Sequence, residues 1–317
     1  MSISLPSRPN PSDIFYRRSV MEKPLIGAVV VSYNPSREIL RNIAILTGQV
    51  DPIVVVDNTL STNPQTVIDE LEHRGGCTVI RNKKNLGIAT ALNIGVQRAI
   101  SLGCEWIVTF DQDSRIGEGY IDGLISTYTD IESTDASRIG VVCPIYRDSR
   151  LGAVWPFPRG SNGEPLMYMT SGSLMKSETY QKLGPFEDQL FIDCVDTEYA
   201  LRMRAAGYKI IESRDAVLEH SLGKMTPHMF AGRTIFVTNH NPQRRYFITR
   251  NRIVLLKRYL LKDCEWTAYE LTDFWKGTIA LLLFEQDRWL KVQYMLRGAA
   301  DAIFGRLGSR GIMPGAS

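Results

Sequence analysis

Short apolar runs and amphipathic stretches alternate along the first two thirds of the chain. Leu25–Ser32 is a continuous, largely β-branched run, the pattern of a strand buried on both faces. Ser36–Leu46 follows Asn34-Pro35 with helical spacing. Ile53–Val56 predicts a second strand that ends in Asp57-Asn58, and Gln65–Glu72 a second helix. Cys77–Ile80 predicts a third strand, Ile88–Ser101 a helix, Trp106–Phe110 a strand, Tyr120–Ile131 a helix and Ile139–Pro144 a strand. Pro, Gly and Arg interrupt the pattern at 147–168, which reads as a loop or irregular hairpin. Helices at Ser177–Leu183 and Thr197–Ala206 and a strand at Tyr208–Glu212 restore it. Beyond Arg244 only helical spacing remains, in amphipathic pieces at 244–262, 265–284 and 287–304. Residues 1–22, rich in Ser, Pro and Arg, read as a loose arm with one short helix around Phe15.

Repeated β-α units predict an α/β fold, a mainly parallel sheet with helices on both faces. Such sheets take their ligands at the carboxyl edge of the strands. The chain divides into an arm (1–22), an α/β domain (23–223), and a basic loop with a helical C-terminal region (224–317), with no internal repeat.

A length of 317 residues with 44% hydrophobic content supports one large domain or two modest ones. Five cysteines without paired or metal-ligand spacing fit a reducing compartment. The first residues lack the apolar core of a secretory signal. The longest uninterrupted apolar run near the C-terminus, Ile279–Phe284, is far below the ~18–20 residues of a spanning helix. A cytoplasmic protein, soluble or peripheral at a membrane, is expected. The net charge of +3 hides an asymmetry: residues 1–213 hold 21 Lys/Arg against 25 Asp/Glu, and residues 214–317 hold 16 against 9. The basic tail points to an anionic partner. No RNP, zinc or helix-turn-helix pattern accompanies it, so a phosphate-bearing lipid surface or a diphosphate is expected rather than nucleic acid.

Candidate chemistry gathers at strand ends. Asp111 and Asp113 flank Gln112 directly behind Trp106–Phe110. Two carboxylates one residue apart suit a hard divalent ion, Mg²⁺ or Mn²⁺, that also grips a diphosphate; a solvated acidic turn is the other reading. Asp57 ends the second strand, where it could accept the imide N–H of uracil or thymine or simply form a turn. Asn85-Leu86-Gly87 opens a helix, with Asn93 further on and Arg81, Lys83 and Lys84 upstream. Gly87 permits close backbone approach and the helix N-terminus favours an anion, although Asn85 could serve only as an N-cap. Thr170-Ser171-Gly172-Ser173 offers hydroxyls and N–H groups to a cleft floor, or is an ordinary loop.

Asp196 stands where a helix begins, as a general base, an N-cap, or both. Asp193 and Glu198 lie close by, with Arg202 four residues beyond Glu198 as its default ion-pair partner. His220 follows an apolar stretch, as a metal ligand or a structural residue. Arg244, Arg245, Arg250 and Arg252 form a dense anion-binding segment, or a solvated basic helix start.

Together these features resemble a GT-A glycosyltransferase from about Leu25 to Gly223. Three segments resemble the bacterial rhamnosyltransferase branch in particular: Phe110-Asp111-Gln112-Asp113-Ser114, Phe191 to Glu198, and Arg244-Arg245-Tyr246-Phe247 with Arg250-Asn251. With that branch, which includes enzymes of O-antigen assembly and of rhamnolipid synthesis, the likeness extends over nearly the whole chain. The resemblance implies an inverting transferase that uses dTDP-β-L-rhamnose and a divalent metal. It implies Asp57 for the thymine, Asp111 and Asp113 for the metal-diphosphate, His220 as a further metal or diphosphate ligand, and Asp196 as the base. The implied donor-binding set adds Ser32, Asn34, Asn58, Asn85, Gly87, Asn93, Gln112, Arg245 and Arg250. Ser171, Gly172, Asp193 and Glu198 are acceptor-side candidates. Many related transferases carry Glu-Asp where this chain has Val195-Asp196.

The leading expectation is rhamnosylation of a cell-surface polysaccharide, with a lipid acceptor second and a non-catalytic nucleotide-sugar-binding protein third. A dinucleotide oxidoreductase is excluded, because Ser32-Tyr33-Asn34-Pro35 follows the first strand in place of a G-x-G-x-x-G turn. The expected partners are the donor, a glycan or glycolipid acceptor and an anionic membrane surface, with an oligomer open.

Overall fold

The computed structural model describes residues 24–63, 65–131, 137–150, 152–220, 225–230 and 232–311. The arm at 1–22, with the helix expected around Phe15, lies outside the described residues. The α/β part runs β1 (Ile26–Ser32), α1 (Glu38–Thr47), β2 (Ile53–Asp57), α2 (Thr66–Arg74), β3 (Thr78–Arg81), α3 (Ile88–Ser101), β4 (Trp106–Asp111), α4 (Tyr120–Thr129), β5 (Ile139–Asp148), β6 (Leu174–Lys176), α5 (Ser177–Leu183), α6 (Val195–Ala205) and β7 (Lys209–His220). A hairpin, β8 (Thr226–Phe230) and β9 (Arg233–Val237), leads to α7 (Pro242–Tyr259), α8 (Cys264–Phe284) and α9 (Arg288–Ile303).

One seven-stranded sheet has the order β3-β2-β1-β4-β6-β5-β7. The β3-β2-β1-β4 half is parallel, as is the β5–β7 pair, and β6 runs antiparallel to both its neighbours. The buried strands alternate faces with a period of two. Val29, Val31, Val54 and Val56 join one core with Leu92 and Val96 of α3. Ala28, Val30, Ile53 and Val55 join the other with Ile39 and Ile43 of α1 and Leu124 of α4. Continuous apolar runs reflect this burial on both sides. The C-terminal helices add to the first face: Val254 of α7 and Ala302 of α9 belong to the same cluster as Val29.

Three elements depart from the sequence expectation. The three-residue β6 is too short to leave a periodic signal, yet it reverses direction in mid-sheet. β7 continues through Ser213-Arg214-Asp215 to His220, because it pairs with β5 over two register shifts rather than on apolar alternation alone. The 224–243 segment, expected to be a loop, contains the β8–β9 hairpin, which stands apart from the main sheet. No described helix is long and apolar enough to cross a membrane.

Candidate active site

The carboxyl ends of β1, β2 and β4 form one edge, with Ser32 in register with Asp57 and Val31 with Asp111. Above that edge lies a cleft of ≈ 680 Å³, lined by Ser32, Asn58, Asn85, Gly87, Asp111, Gln112, Asp113, Ser171, Asp193, Asp196 and His220 among others. The topology therefore gathers most of the predicted residues into one space.

Asp57 lies fully buried just beneath this edge. Its Oδ1 accepts from Ser32 Oγ at 2.8 Å and Thr59 Oγ1 at 2.7 Å, while Oδ2 is buried without a hydrogen-bond partner. A buried carboxylate oxygen without a donor is costly, yet Asp57 has no exposed surface and is not among the residues that line the cleft. Asn58 Nδ2 donates to Gly87 O at 3.0 Å, tying β2 to the start of α3. Gly87 has φ +86, and a Cβ there would meet Phe191 O at 2.5 Å, so only glycine fits. Asn85 Oδ1 accepts from Gly87 N at 3.0 Å and shapes the turn before α3.

Asp111, Asp113 and His220 converge from two strands distant in sequence. His220 Nε2 is 4.0 Å from Asp111 Oδ2, and His220 Nδ1 is 3.6 Å from Asp113 Oδ1. These distances exceed hydrogen-bond length, yet one ligand atom from each residue lies within 4.8 Å of the others. Two carboxylates and an imidazole are a donor set for Mn²⁺ or Mg²⁺, so the residues present fit such an ion. Burial raises the Asp111 carboxyl above the usual range; His220 and Arg244 oppose the shift and Asp113 adds to it. Ser171 Oγ accepts from the Asp111 N–H at 3.0 Å and pairs with Ser114 Oγ at 2.6 Å, fixing the turn behind the strand. Gln112 is held by Tyr33, whose N–H donates to Gln112 Oε1 at 2.8 Å.

Asp196 is the second residue of α6, not its N-cap, and its Oδ1 accepts from Thr197 N at 2.8 Å. Burial pushes its pKa up to about 6; the Thr197 N–H restrains the shift, and the charges of Asp193 and Asp111 add to it. The preceding loop is strained: Phe191, Asp193 and Cys194 all have positive φ. Two residues of α7 clamp it. Asn251 Nδ2 donates to the carbonyls of Leu190, Ile192 and Asp193, and Arg250 Nη2 donates to Leu190 O at 2.9 Å.

Several candidates lie elsewhere. Arg250 is fully buried, and its remaining donors serve Gly308 O, Gln189 O and Asn251 Oδ1, so it does not reach the cleft. Arg245 turns away to Glu285 and Thr238, and Arg252 to Glu270 and Asp273. Positions 245 and 252, seven residues apart, share the helix face towards α8, so the expected anion-binding surface is largely neutralised internally. Asn93 exchanges all its hydrogen bonds with Phe186, Asp188 and Tyr180 and is structural. Glu198 is buried in a pair with Arg202, as an i,i+4 spacing suggests. Gly172 supports the floor from below, with its carbonyl accepting from Tyr120 Oη and no space for a Cβ. Asn34 lines a separate cavity of ≈ 320 Å³ with Thr59 and Gln65. Arg81 is tied to Asp69 and Glu72.

Arg244, one of the expected basic segment, does reach the cleft, and His240, which the sequence did not single out, joins it. Arg244 lines the cleft and pairs with Asp193 at 3.0 Å. It sits in the first turn of α7, where Asn241 Oδ1 accepts from Arg244 N at 2.7 Å as N-cap. His240 lines the same wall; burial and the charges of Arg244, Arg245 and Lys291 push its pKa down to about 3, so its ring is neutral. The Asn-x-Asn-Pro signal for a capped helix was present in the sequence and locates both.

The model of glycosyl transferase family 2 matches residues 28–190. The dTDP-rhamnosyl transferase RfbF of Shigella flexneri is 30% identical over 247 residues, 74% of this chain and 80% of its own length. The galactofuranosyltransferase GlfT1 of Mycobacterium tuberculosis is 24% identical over 253 residues, 74% of this chain and 82% of its own. Among solved structures, S. aureus TarS 1–349 in complex with UDP-GlcNAc superposes with a TM-score of 0.59 at 14% identity, over 90% of this chain and 82% of that one. At that identity the likeness is one of fold.

Proposed function

The chain belongs to glycosyl transferase family 2, and from that premise we propose a metal-dependent, inverting rhamnosyltransferase. It moves L-rhamnose from dTDP-β-L-rhamnose to a hydroxyl of a bacterial cell-surface polysaccharide of the O-antigen type, in the cytoplasm. The observation that carries the reaction type is the meeting, in one cleft, of the Asp111–Asp113–His220 cluster with Asp196, a carboxylate whose pKa is pushed up to about 6. The choice of donor rests on the 30% identity to an enzyme named for dTDP-rhamnosyl transfer. Asp57, whose partnerless Oδ2 lies buried behind the cleft residues Ser32 and Asn58, is assigned to the imide N–H of a pyrimidine.

In this reading Asp196 takes the proton of the acceptor hydroxyl as its oxygen bonds to the anomeric carbon of rhamnose. The bond from that carbon to the diphosphate oxygen breaks on the opposite side, and the electron pair leaves with dTDP. A divalent ion held by Asp111, Asp113 and His220 would supply neutralisation of the diphosphate charge. Arg244 adds a fixed positive charge to the same cleft, and neutral His240 offers a hydrogen bond without charge.

The test is release of dTDP from dTDP-rhamnose by the purified protein with a rhamnan or O-antigen fragment as acceptor. Turnover should vanish in EDTA and return with Mn²⁺ or Mg²⁺. Full turnover in EDTA removes the metal from the proposal, and preference for a UDP-sugar over dTDP-rhamnose removes the donor.

A further inference from the structure

We infer that the outer face of α8, together with the start of α9 and the tip of the β8–β9 hairpin, seats on an anionic lipid surface. The cleft is thereby presented to an acceptor anchored in that surface. The attachment stands independently; the statement about the acceptor rests on the transferase reading above.

α8 turns Trp266, Glu270 and Leu281 into the protein. On another side Leu271, Trp275, Ile279 and Leu283 recur every four residues, which makes them one stripe of the helix. All four are exposed, Trp275 to 61% and Ile279 to 55%. Trp289, in the first turn of α9, is exposed to 69%. The apolar surface also reaches the hairpin tip: exposed Phe230 packs edge-on against Phe284 of α8, with ring centroids 6.0 Å apart. An apolar surface of this extent marks an interaction site.

Charge selects the occupant. Lys276 follows Trp275, and Arg288, whose Nη1 donates to Leu282 O, precedes Trp289; both are exposed. Apart from Asp287, the acidic residues of the region are engaged elsewhere. Glu270 and Asp273 pair with Arg252, and buried Glu285 is held between Arg245 and Lys291. Asp287 is exposed beside Arg288 and offsets part of its charge. A two-fold contact between copies would place the same cationic patch against itself, whereas anionic headgroups neutralise it. Exposed tryptophans beside Lys and Arg are the composition of an interfacial anchor, and the helix is too polar to span. The hairpin links this face to the chemistry. Met225 before β8 and Thr238 after β9 line the cleft, while the hairpin tip carries Phe230, so the cleft wall and the apolar face are one continuous structure. An acceptor reaching the cleft from that side is a saccharide carried on a lipid.

Flotation of the full chain with phosphatidylcholine vesicles, with and without phosphatidylglycerol, tests the attachment. Binding should require the anionic lipid and be lost at high salt. Trp275→Glu with Ile279→Glu should reduce it at least about tenfold, and Lys276→Glu should reduce it about fivefold or more, the worth of one cation near an anionic surface. Circular dichroism and melting temperature should be unchanged, since these side chains are exposed. Equal flotation with neutral vesicles, or none at low salt, overturns the inference. So does a concentration-dependent doubling of mass abolished by the same substitutions, which would assign the face to a second copy. No donor is involved, so a failed flotation leaves the rhamnosyl reading intact and a wrong donor leaves the attachment intact.

Discussion

The acidic edge of the sheet and the arginine-rich start of α7 are the two densest groups of charge around the cleft, and they are built in opposite ways. At the edge, Asp111 and Asp113 sit where β4 stops pairing, so their side chains enter the cleft with His220 as their neighbour. On α7 the arginines lie at helical spacing and point in different directions. Arg244 faces the cleft, Arg245 and Arg252 face carboxylates of α8 and its C-terminal boundary, and Arg250 enters the core beneath the loop at 191–194. A strand end concentrates neighbouring charges in one place, whereas a helix distributes them. The same residue density therefore means a site in one region and a scaffold in the other.

The sharpest way to break this contrast is at Asp196, the proposed base, which shares the cleft with the acidic edge. Asp196→Asn keeps the size and an acceptor for Thr197 N, and should lower transfer about 10²–10⁴-fold with near-normal donor binding. In the wild type, kcat/KM should rise with pH through about 6, as Asp196 loses its proton. The stability consequence has a definite sign. A carboxyl whose folded pKa is raised favours the protonated folded state, and the stability this contributes is lost as pH rises from the unfolded value near 4 through about 6. At pH 8 the Asn variant should therefore melt no lower than the wild type. A lower melting temperature would make Asp196 a structural residue.

The division of labour among the arginines makes the next prediction. Arg250→Ala removes the donor to the carbonyls of Gly308 and Gln189 and one of the two side-chain donors to Leu190 O, and should cost about 3 kcal/mol of stability or more. Arg244→Ala should leave the melting temperature within a few degrees of the wild type and lower turnover about 10–100-fold, as loss of one leaving-group charge. If denaturant unfolding shows Arg244→Ala to be the destabilised variant and Arg250→Ala to be inactive yet stable, the assignment is reversed.

Asp57 should give the smallest effect. Asp57→Asn retains an acceptor for Ser32 and Thr59 but presents a weaker one, or an N–H, to the nucleobase. Donor affinity by calorimetry should fall by about 1–3 kcal/mol, with the maximal rate much less changed. Unchanged affinity would reduce Asp57 to the organiser of the β1–β2 edge that its hydrogen bonds already make it.

The sequence by itself determined the parallel half of the sheet, the helices that cover it, and the carboxylates at strand ends. Its reach has a physical cause. A strand buried on both faces is largely apolar, and a carboxylate that ends the run lies at the strand's carboxyl end, so Val54-Val55-Val56-Asp57 and Phe110-Asp111 carry their own geometry. Tertiary structure decided whatever depends on a partner distant in the chain. His220 becomes a neighbour of Asp113 only because β7 pairs with β5 as far as Asp148, and β6 enters the sheet on three residues with no periodic signal. Asn93, Glu198, Arg245 and Arg250 carry polar groups as suited to a ligand as any in the cleft. They are structural because Phe186, Arg202, Glu285 and Leu190 reached them first. Local pattern records which side chains must be buried or exposed, but a buried polar group takes whichever partner the fold brings to it, and that choice is made across the whole chain.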